Sequence, residues 1–312
     1  MKIYRHLDKP LSIQRPVVTS GTFDGVHTGH RKIIHRIMEL ADDINGESVI
    51  LTFEPHPRLI LAPHDTSLRL LTTLDEKLEL LEYMGIAHTL IIPFNREFAA
   101  LSSQQFVQNV LIGTLHTHSL VIGYDHQFGR NREGSFANLK KLSSSLGFHV
   151  EEIPAQDVDN VHVSSTKIRQ ALLDGNVQAA ARYLSYPYQL RGTVVDGSKI
   201  GRTLGYPTAN IQIDNNLKLI PAIGIYAVKV EIEGQLFHGM MSIGRRPTIE
   251  DTEKISLEVH IFEMNKNLYG QSLIIYMIER MRDEVKYNNV EELKQQLQFD
   301  EQQAKSILNN LT

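Results

Sequence analysis

Val17-Val18-Thr19-Ser20-Gly21-Thr22-Phe23-Asp24-Gly25-Val26-His27-Thr28-Gly29-His30 passes from a short apolar run into glycines, an acid and two histidines. The run Val17–Ser20 has the length of a strand and is apolar on both parities, as a strand covered on both faces must be. Ser48-Val49-Ile50-Leu51-Thr52-Phe53, Thr89-Leu90-Ile91-Ile92-Pro93 and Ser119-Leu120-Val121-Ile122 share that character, and His149-Val150-Glu151-Glu152-Ile153 is a fifth strand-length segment. Between them Ile33, Ile34, Ile37, Met38 and Ala41 recur at helical spacing. Thr73 with Glu76 and Ser102 with Gln105 form capping boxes ahead of Leu78/Leu81 and Phe106/Val110, and Gly147 can close the helix carrying Leu139 and Leu146. Strands alternating with helices predict a doubly wound α/β domain around a parallel sheet, with a last helix from about Thr166 to Asp174 that stops at Gly175.

Beyond Leu184-Ser185-Tyr186-Pro187-Tyr188 the period changes from helical to alternating. Tyr226, Val228, Val230 and Ile232 alternate with Lys229, Glu231 and Glu233, and Leu257, Val259 and Ile261 alternate with Glu258 and His260, the pattern of half-buried antiparallel strands. With Leu190–Asp196, Leu236–Ile243 and Leu273–Ile278 these suffice for a small antiparallel β-barrel. A closing helix is predicted from the Asn289 cap answered by Glu292, with Val290, Leu293, Leu297, Ala304 and Leu308 as its buried stripe. The expected domains are 1–185 and 186–312.

A chain of 312 residues exceeds the ~250–300 at which single cores stop growing, in keeping with two domains. Hydrophobic residues are 42% and charged residues 22%, ordinary values that exclude collagen, coiled coil and wholesale disorder. The net charge of −4 provides no diffuse basic field for nucleic acid or an anionic membrane. Zero cysteines remove disulfides, thiolate zinc sites and iron–sulfur clusters. Met1–Gln14 lacks the apolar run of a signal peptide, and no stretch of ~18 apolar residues occurs. A cytoplasmic protein without nucleic-acid or membrane partners is expected, as a monomer or weak homo-oligomer.

Parallel α/β sheets bind ligands beyond the carboxyl ends of their strands. The unusual polar residues collect there: Gly21–His30 after the first strand, Glu54-Pro55-His56-Pro57-Arg58 after the second, Gly123–Arg130 after the fourth, and Ser164-Ser165-Thr166-Lys167-Ile168-Arg169 after the fifth. A His-x-Gly-His segment at the mouth of a helix suits phosphate chemistry, because free N–H groups and the positive helix end attract an anion while two imidazoles donate to charge building on phosphorus. Gly29 allows a nucleotide close to the backbone, and the hydroxyls of Ser164–Thr166 with Lys167 and Arg169 offer a second phosphate cradle. A zinc pair at His27/His30, the competing reading, lacks further ligands and the commoner i, i+4 spacing. P-loop and dinucleotide glycine motifs are both missing. In the second part, Gly201 and Gly205 let a loop wrap phosphates, Thr208 and Asn210 supply hard oxygens for a metal that keeps its waters, and Glu258 leaves the apolar face of its strand, free to act as a base.

The blocks Phe23–His30, Thr52–Arg58, Gly123–Gly134 and Val163–Arg169, in this order, resemble the adenylyltransferase half of prokaryotic bifunctional riboflavin kinase/FAD synthetases. Gly192–Asn210, Gly224–Val228, Ile243–Thr248, Leu257–Phe262, Leu268–Gly270 and Arg282–Glu284 resemble the riboflavin kinase half. The resemblance implies riboflavin, FMN and ATP as substrates, FAD as product, and Mg²⁺ accompanying ATP. It implies that His27 and His30 stabilise the adenylyl-transfer transition state, and that Gly21, Phe23, Asp24, Gly25, Gly29, Ser164, Ser165, Thr166 and Arg169 bind ATP phosphates. His56, Pro57, Asp125 and Phe128, with Arg282 and Glu284, would stand on the flavin side. In the kinase half it implies that Glu258 deprotonates the ribityl hydroxyl, that Gly201, Arg202, Gly205 and Pro207 hold ATP, and that Thr208 and Asn210 ligate Mg²⁺. The chain departs from the family's usual residues at His126 (Phe), Lys167 (Arg), Ser242 (Asn) and Ser185-Tyr186 (Gly-Arg). The alternatives are a protein with one active half, or a flavin- or nucleotide-sensing regulator on the same scaffold.

Overall fold

The runs of valine, isoleucine and leucine become strands because branched side chains pack well on a pleated surface. In the computed structural model, which describes residues 1–124, 128–130, 134–154, 163–197, 204–246, 254–287 and 289–310, the chain divides into two units, Met1–Ser165 and Thr166–Thr312. In the first, β1 (Lys2–Tyr4), β2 (Val17–Ser20), β3 (Ser48–Glu54), β4 (His88–Pro93), β5 (Ser119–Gly123) and β6 (His149–Ile153) form one sheet in the order β1-β4-β3-β2-β5-β6. Every pairing is parallel.

Alternate residues of the central strands face two different cores. Val18, Val49, Leu51, Leu120 and Ile122 pack with Val107, Val110 and Leu111. Val17, Ile50 and Val121 pack with Ile34, Ile37 and Ala41 of helix α1 (Thr28–Asp43). Ile34 and Ile37 are wholly enclosed, and each such side chain contributes about 1.5–3 kcal/mol relative to exposure. The sheet is therefore covered on both faces, as the apolar parity required. Short helices α2 (Pro57–Leu61) and α4 (Arg96–Ala99) flank α3 (Leu74–Tyr83), while α5 (Ser103–Phe106) continues into a π-helical stretch, Val107–Thr114. Both expected capping boxes are present, at Thr73/Glu76 and Ser102/Gln105. Helix α6 (Phe136–Leu146) ends on left-handed Gly147, with φ of 75°. Strand β1 was not expected: three residues are too few to show a period, and the strand forms by pairing with β4 at the sheet edge.

Helix α7 (Ser165–Leu173) begins at the end of the first unit, and α8 (Val177–Leu184), capped by Asn176, follows in the second. Six antiparallel strands close a barrel in the order β10-β11-β8-β7-β12-β9. They are β7 (Gln189–Val195), β8 (Ala209–Ile213), β9 (Gly224–Ile232), β10 (Gln235–Arg246), β11 (Lys254–Ile261) and β12 (Ser272–Arg282). Strand β8 was hidden in the sequence because it starts inside the Gly/Pro-rich motif, so Asn210 stands on a strand and not in a loop. Helix α9 (Val290–Asn309) carries the expected Asn289 cap, whose Oδ1 accepts from the Glu292 N–H. Its stripe holds only in the later turns. Ala304 and Leu308 are buried and Leu297 packs beside them, but Val290 is 63% exposed and Leu293 is only half-buried.

Candidate active sites

In the parallel sheet β3, β2 and β5 are neighbours, so the segments leaving β2 and β3 emerge side by side. His27 is the N-cap of α1, its Nδ1 accepting from the His30 backbone N–H at 3.4 Å. The two imidazoles stack with ring centroids 3.7 Å apart, and the buried Phe23 ring leans on His30 at 5.1 Å. Burial, then the neighbouring His27 and Lys77 charges, hold His30 well below histidine's ordinary value. At neutral pH its ring is uncharged. Thr28 Oγ1 and His30 Nδ1 are enclosed without a hydrogen-bond partner among the described residues. Enclosed polar atoms without partners at a helix mouth are where a ligand supplies the missing bonds.

The turn before this helix is tightly constrained. Phe23 and Val26 have φ of 49° and 38°, costly for side-chain-bearing residues and most of all for a β-branched one. Asp24 is buried and its Oδ1 accepts from the N–H groups of Leu71 and Thr72 at 2.9 and 3.0 Å, while Gly25, with φ of 84°, donates its N–H to Thr72 Oγ1. Ser165 Oγ donates to the Asp24 carbonyl at 3.1 Å, which brings the start of α7 to the turn after β2. Ser164 precedes it, and Thr166 and Arg169 follow on α7 in the second unit. His56 caps α2 by accepting from the Arg58 N–H at 3.2 Å, with Pro57 as first helical residue. Phe128 packs its ring against Phe106 at 5.5 Å. Gly21 lies against the Phe23 ring and Gly29 is buried in the first turn of α1. Asp125, His126, Gly201 and Arg202 lie outside the described residues.

Lys77 belongs to no motif in the sequence. It is 6% exposed, and its Nζ donates to Thr52 Oγ1 at 3.3 Å. Placed between Glu76 and Leu78 in a helix, it reads as an ordinary surface lysine, and only the fold reveals its burial.

In the barrel, strand pairing assembles the second constellation. Glu258 stands opposite Asn210 of β8 on one side and Ser242 of β10 on the other. Thr208 Oγ1 donates to Glu258 Oε2 at 3.0 Å. A Cβ at Gly197 would lie 1.9 Å from Asn210 Nδ2, so glycine is what leaves room for that amide. A cavity of about 470 Å³ adjoins, walled by Val194, Pro207, Thr208 and Val259 and by the segment from Met264 to Tyr269. Met264 to Asn267 were not singled out in the sequence, where they read as a polar turn. The Pro207 carbonyl lies 2.8 Å from His260 Nδ1, and Tyr206 donates its hydroxyl to Glu301 Oε2 at 3.1 Å. Gly205 is left-handed with φ of 85°. Arg282 forms a two-pronged pair with buried Asp300 at 2.8 and 2.6 Å, and Glu284 reaches over Gly244.

Two unlike folds, each with its own polar constellation, lie side by side in the sequence, and each matches a family of enzymes that transfer phosphate-bearing groups. The FAD synthetase family profile matches residues 10–167 and the riboflavin kinase profile residues 184–308. A bifunctional riboflavin kinase/FMN adenylyltransferase from Listeria monocytogenes is 37% identical over 95% of this chain and 93% of its own, and one from Haemophilus influenzae is 36% identical over 96% of each. A crystal structure described as a macrolide-efflux protein from Streptococcus pneumoniae superposes with a TM-score of 0.87 at 32% identity, covering 97% of this chain and 98% of that one. Among the described residues no helix is long and apolar enough to cross a membrane. The chain belongs to the bifunctional riboflavin kinase/FMN adenylyltransferase family.

Proposed function

We propose that the two centres divide the family's two reactions, with riboflavin phosphorylated at the barrel and FMN adenylylated at the parallel-sheet edge. One observation supports the reading: each unit holds its own polar set, His27 stacked on His30 in the first and Thr208 hydrogen-bonded to Glu258 in the second. We assign residues 1–185 to the first reaction and 186–312 to the second.

At the barrel, Glu258 takes the proton of the ribityl 5′-hydroxyl as that oxygen attacks the γ-phosphorus of ATP and the bond to the β-phosphate oxygen breaks, giving FMN and ADP. The Thr208 hydroxyl, by donating to Glu258, orients the carboxylate and keeps its own lone pairs outward. Thr208 and Asn210 form a hard-oxygen pair suited to Mg²⁺ carried in by the nucleotide. When bound, Mg²⁺ neutralises phosphate charge. Gly201, Arg202, Gly205 and Pro207 would hold the ATP, with Arg282 and Glu284 on the flavin side.

At the sheet edge, an FMN phosphate oxygen attacks the α-phosphorus of a second ATP, and the α–β bridging bond breaks to release pyrophosphate. His27 and His30 hydrogen-bond to the charge that builds there. Gly21, Phe23, Asp24, Gly25 and Gly29 would form the backbone floor, Ser164, Ser165, Thr166 and Arg169 would take the outer phosphates, and His56, Pro57, Asp125 and Phe128 would stand on the flavin side. We place the protein in the cytoplasm with small-molecule partners alone, as a monomer or weak homo-oligomer. The test is product analysis: riboflavin, ATP and Mg²⁺ should yield FMN and then FAD, and the appearance of neither would overturn the reading.

A further inference from the structure

A lysine placed where lysine is disfavoured marks a requirement beyond stability. Lys77 lies in the first turns of α3, near the positive end of the helix, and is buried. Both features oppose an ammonium. Among the described residues no carboxylate pairs with it. Its hydrogen-bond partner is Thr52 Oγ1, and that hydroxyl donates in turn to the Thr22 carbonyl at 3.3 Å.

The residues leading into the same helix hold the other end of the same turn. Leu71 and Thr72, just before the Thr73 cap of α3, donate their N–H groups to Asp24. The segment from Thr22 to Val26, with left-handed Phe23 and Val26, is thus tied twice: to α3 at Thr22 through Thr52 and Lys77, and to the approach to α3 at Asp24 through Leu71 and Thr72. A strained turn persists only where its surroundings over-determine it, and this turn aims His27 and His30.

We propose that Lys77 is a positioning residue for adenylyl transfer, fixing the Thr22–Val26 turn through Thr52 and presenting its charge to His30. The inference rests on the assignment of His27 and His30 to that reaction. The ionisable groups around the ammonium are Asp24 in the turn and Glu54 at the end of β3; His30 on α1 also feels its charge beside that of His27, and Arg5 and Asp75 act on Glu54. Burial lowers the Lys77 value and raises that of Glu54.

Lys77→Met removes the charge and the tether, and Thr52→Val removes the tether alone. In Lys77→Met, kcat for adenylyl transfer should fall about tenfold or more with little change in the KM for ATP, as expected when orientation and not affinity is lost. Riboflavin phosphorylation by the same preparation should be unchanged. The His30 imidazole resonance, identified by its absence in His30→Gln, should titrate at higher pH in Lys77→Met than in the wild type, and should stay put in Thr52→Val. A folded Lys77→Met with wild-type kcat, or with unmoved His30 titration, overturns the proposal. Should Lys77→Met fail to fold, Thr52→Val decides: a fall in adenylyl transfer with the kinase rate kept supports it, and an unchanged rate overturns it. His30→Gln separates the two levels, since retention of adenylyl transfer there removes the histidine assignment itself.

Discussion

The two centres reach chemical competence by opposite routes. In the parallel-sheet unit, the candidate site lies at the turn between a strand and a helix, enclosed and backed by strain: His27 is buried, the His30 value is held low, and Phe23 and Val26 are left-handed. In the barrel unit, Glu258 is half-buried on a regular strand and owes its neighbours to register, with Asn210 and Ser242 directly across from it. A turn can be set by a local motif, whereas a register needs the whole sheet.

Independence of the centres is the sharpest claim of this comparison. Glu258→Ala should cost ~10²–10⁴ in FMN formation, as loss of a general base does, while FAD synthesis from supplied FMN continues. Equal loss of both activities would break it. Next in size is a stability effect: Arg282→Met strands the buried Asp300 carboxylate and should destabilise the barrel unit by about 3–5 kcal/mol, read by urea unfolding. A negligible change would show the pair to be dispensable and leave Arg282 to the flavin alone. His30→Ala should slow adenylyl transfer by ~10²–10³ and leave riboflavin phosphorylation untouched, and an unaltered rate would take His30 out of the site.

The smallest effect concerns acid. Because the folded protein holds His30 well below the ordinary value of 6.5, the unfolded chain binds a proton that the folded one refuses as pH falls through 6.5. Stability from this group is complete above that value and drains away below it. The loss of melting temperature between pH 7.5 and 5.5 should be smaller in His30→Gln than in the wild type, and equal losses would contradict the sign.

Much of this arrangement was legible in the chain. Double-faced apolar runs such as Val49–Leu51 forecast the covered sheet, and the Thr73/Glu76 and Asn289/Glu292 caps set helix starts to the residue. What escaped notice depended on tertiary partners. Strand β1 exists through β4, β8 was masked by the motif it carries, and Lys77 looks like any surface lysine until α3 is laid against Thr52. The pairing of Arg282 with Asp300, eighteen residues on, likewise depends on how α9 lies on the barrel.

The hydroxyl-to-carboxylate bond between Thr208 and Glu258 bears on how genetics at this centre must be interpreted. Removing either residue disturbs the other, so the penalties of Thr208→Ala and Glu258→Ala overlap, and the double substitution should cost less than their sum. Only a complete mutant cycle, never a single exchange, can apportion what the base and its neighbour each give to phosphoryl transfer.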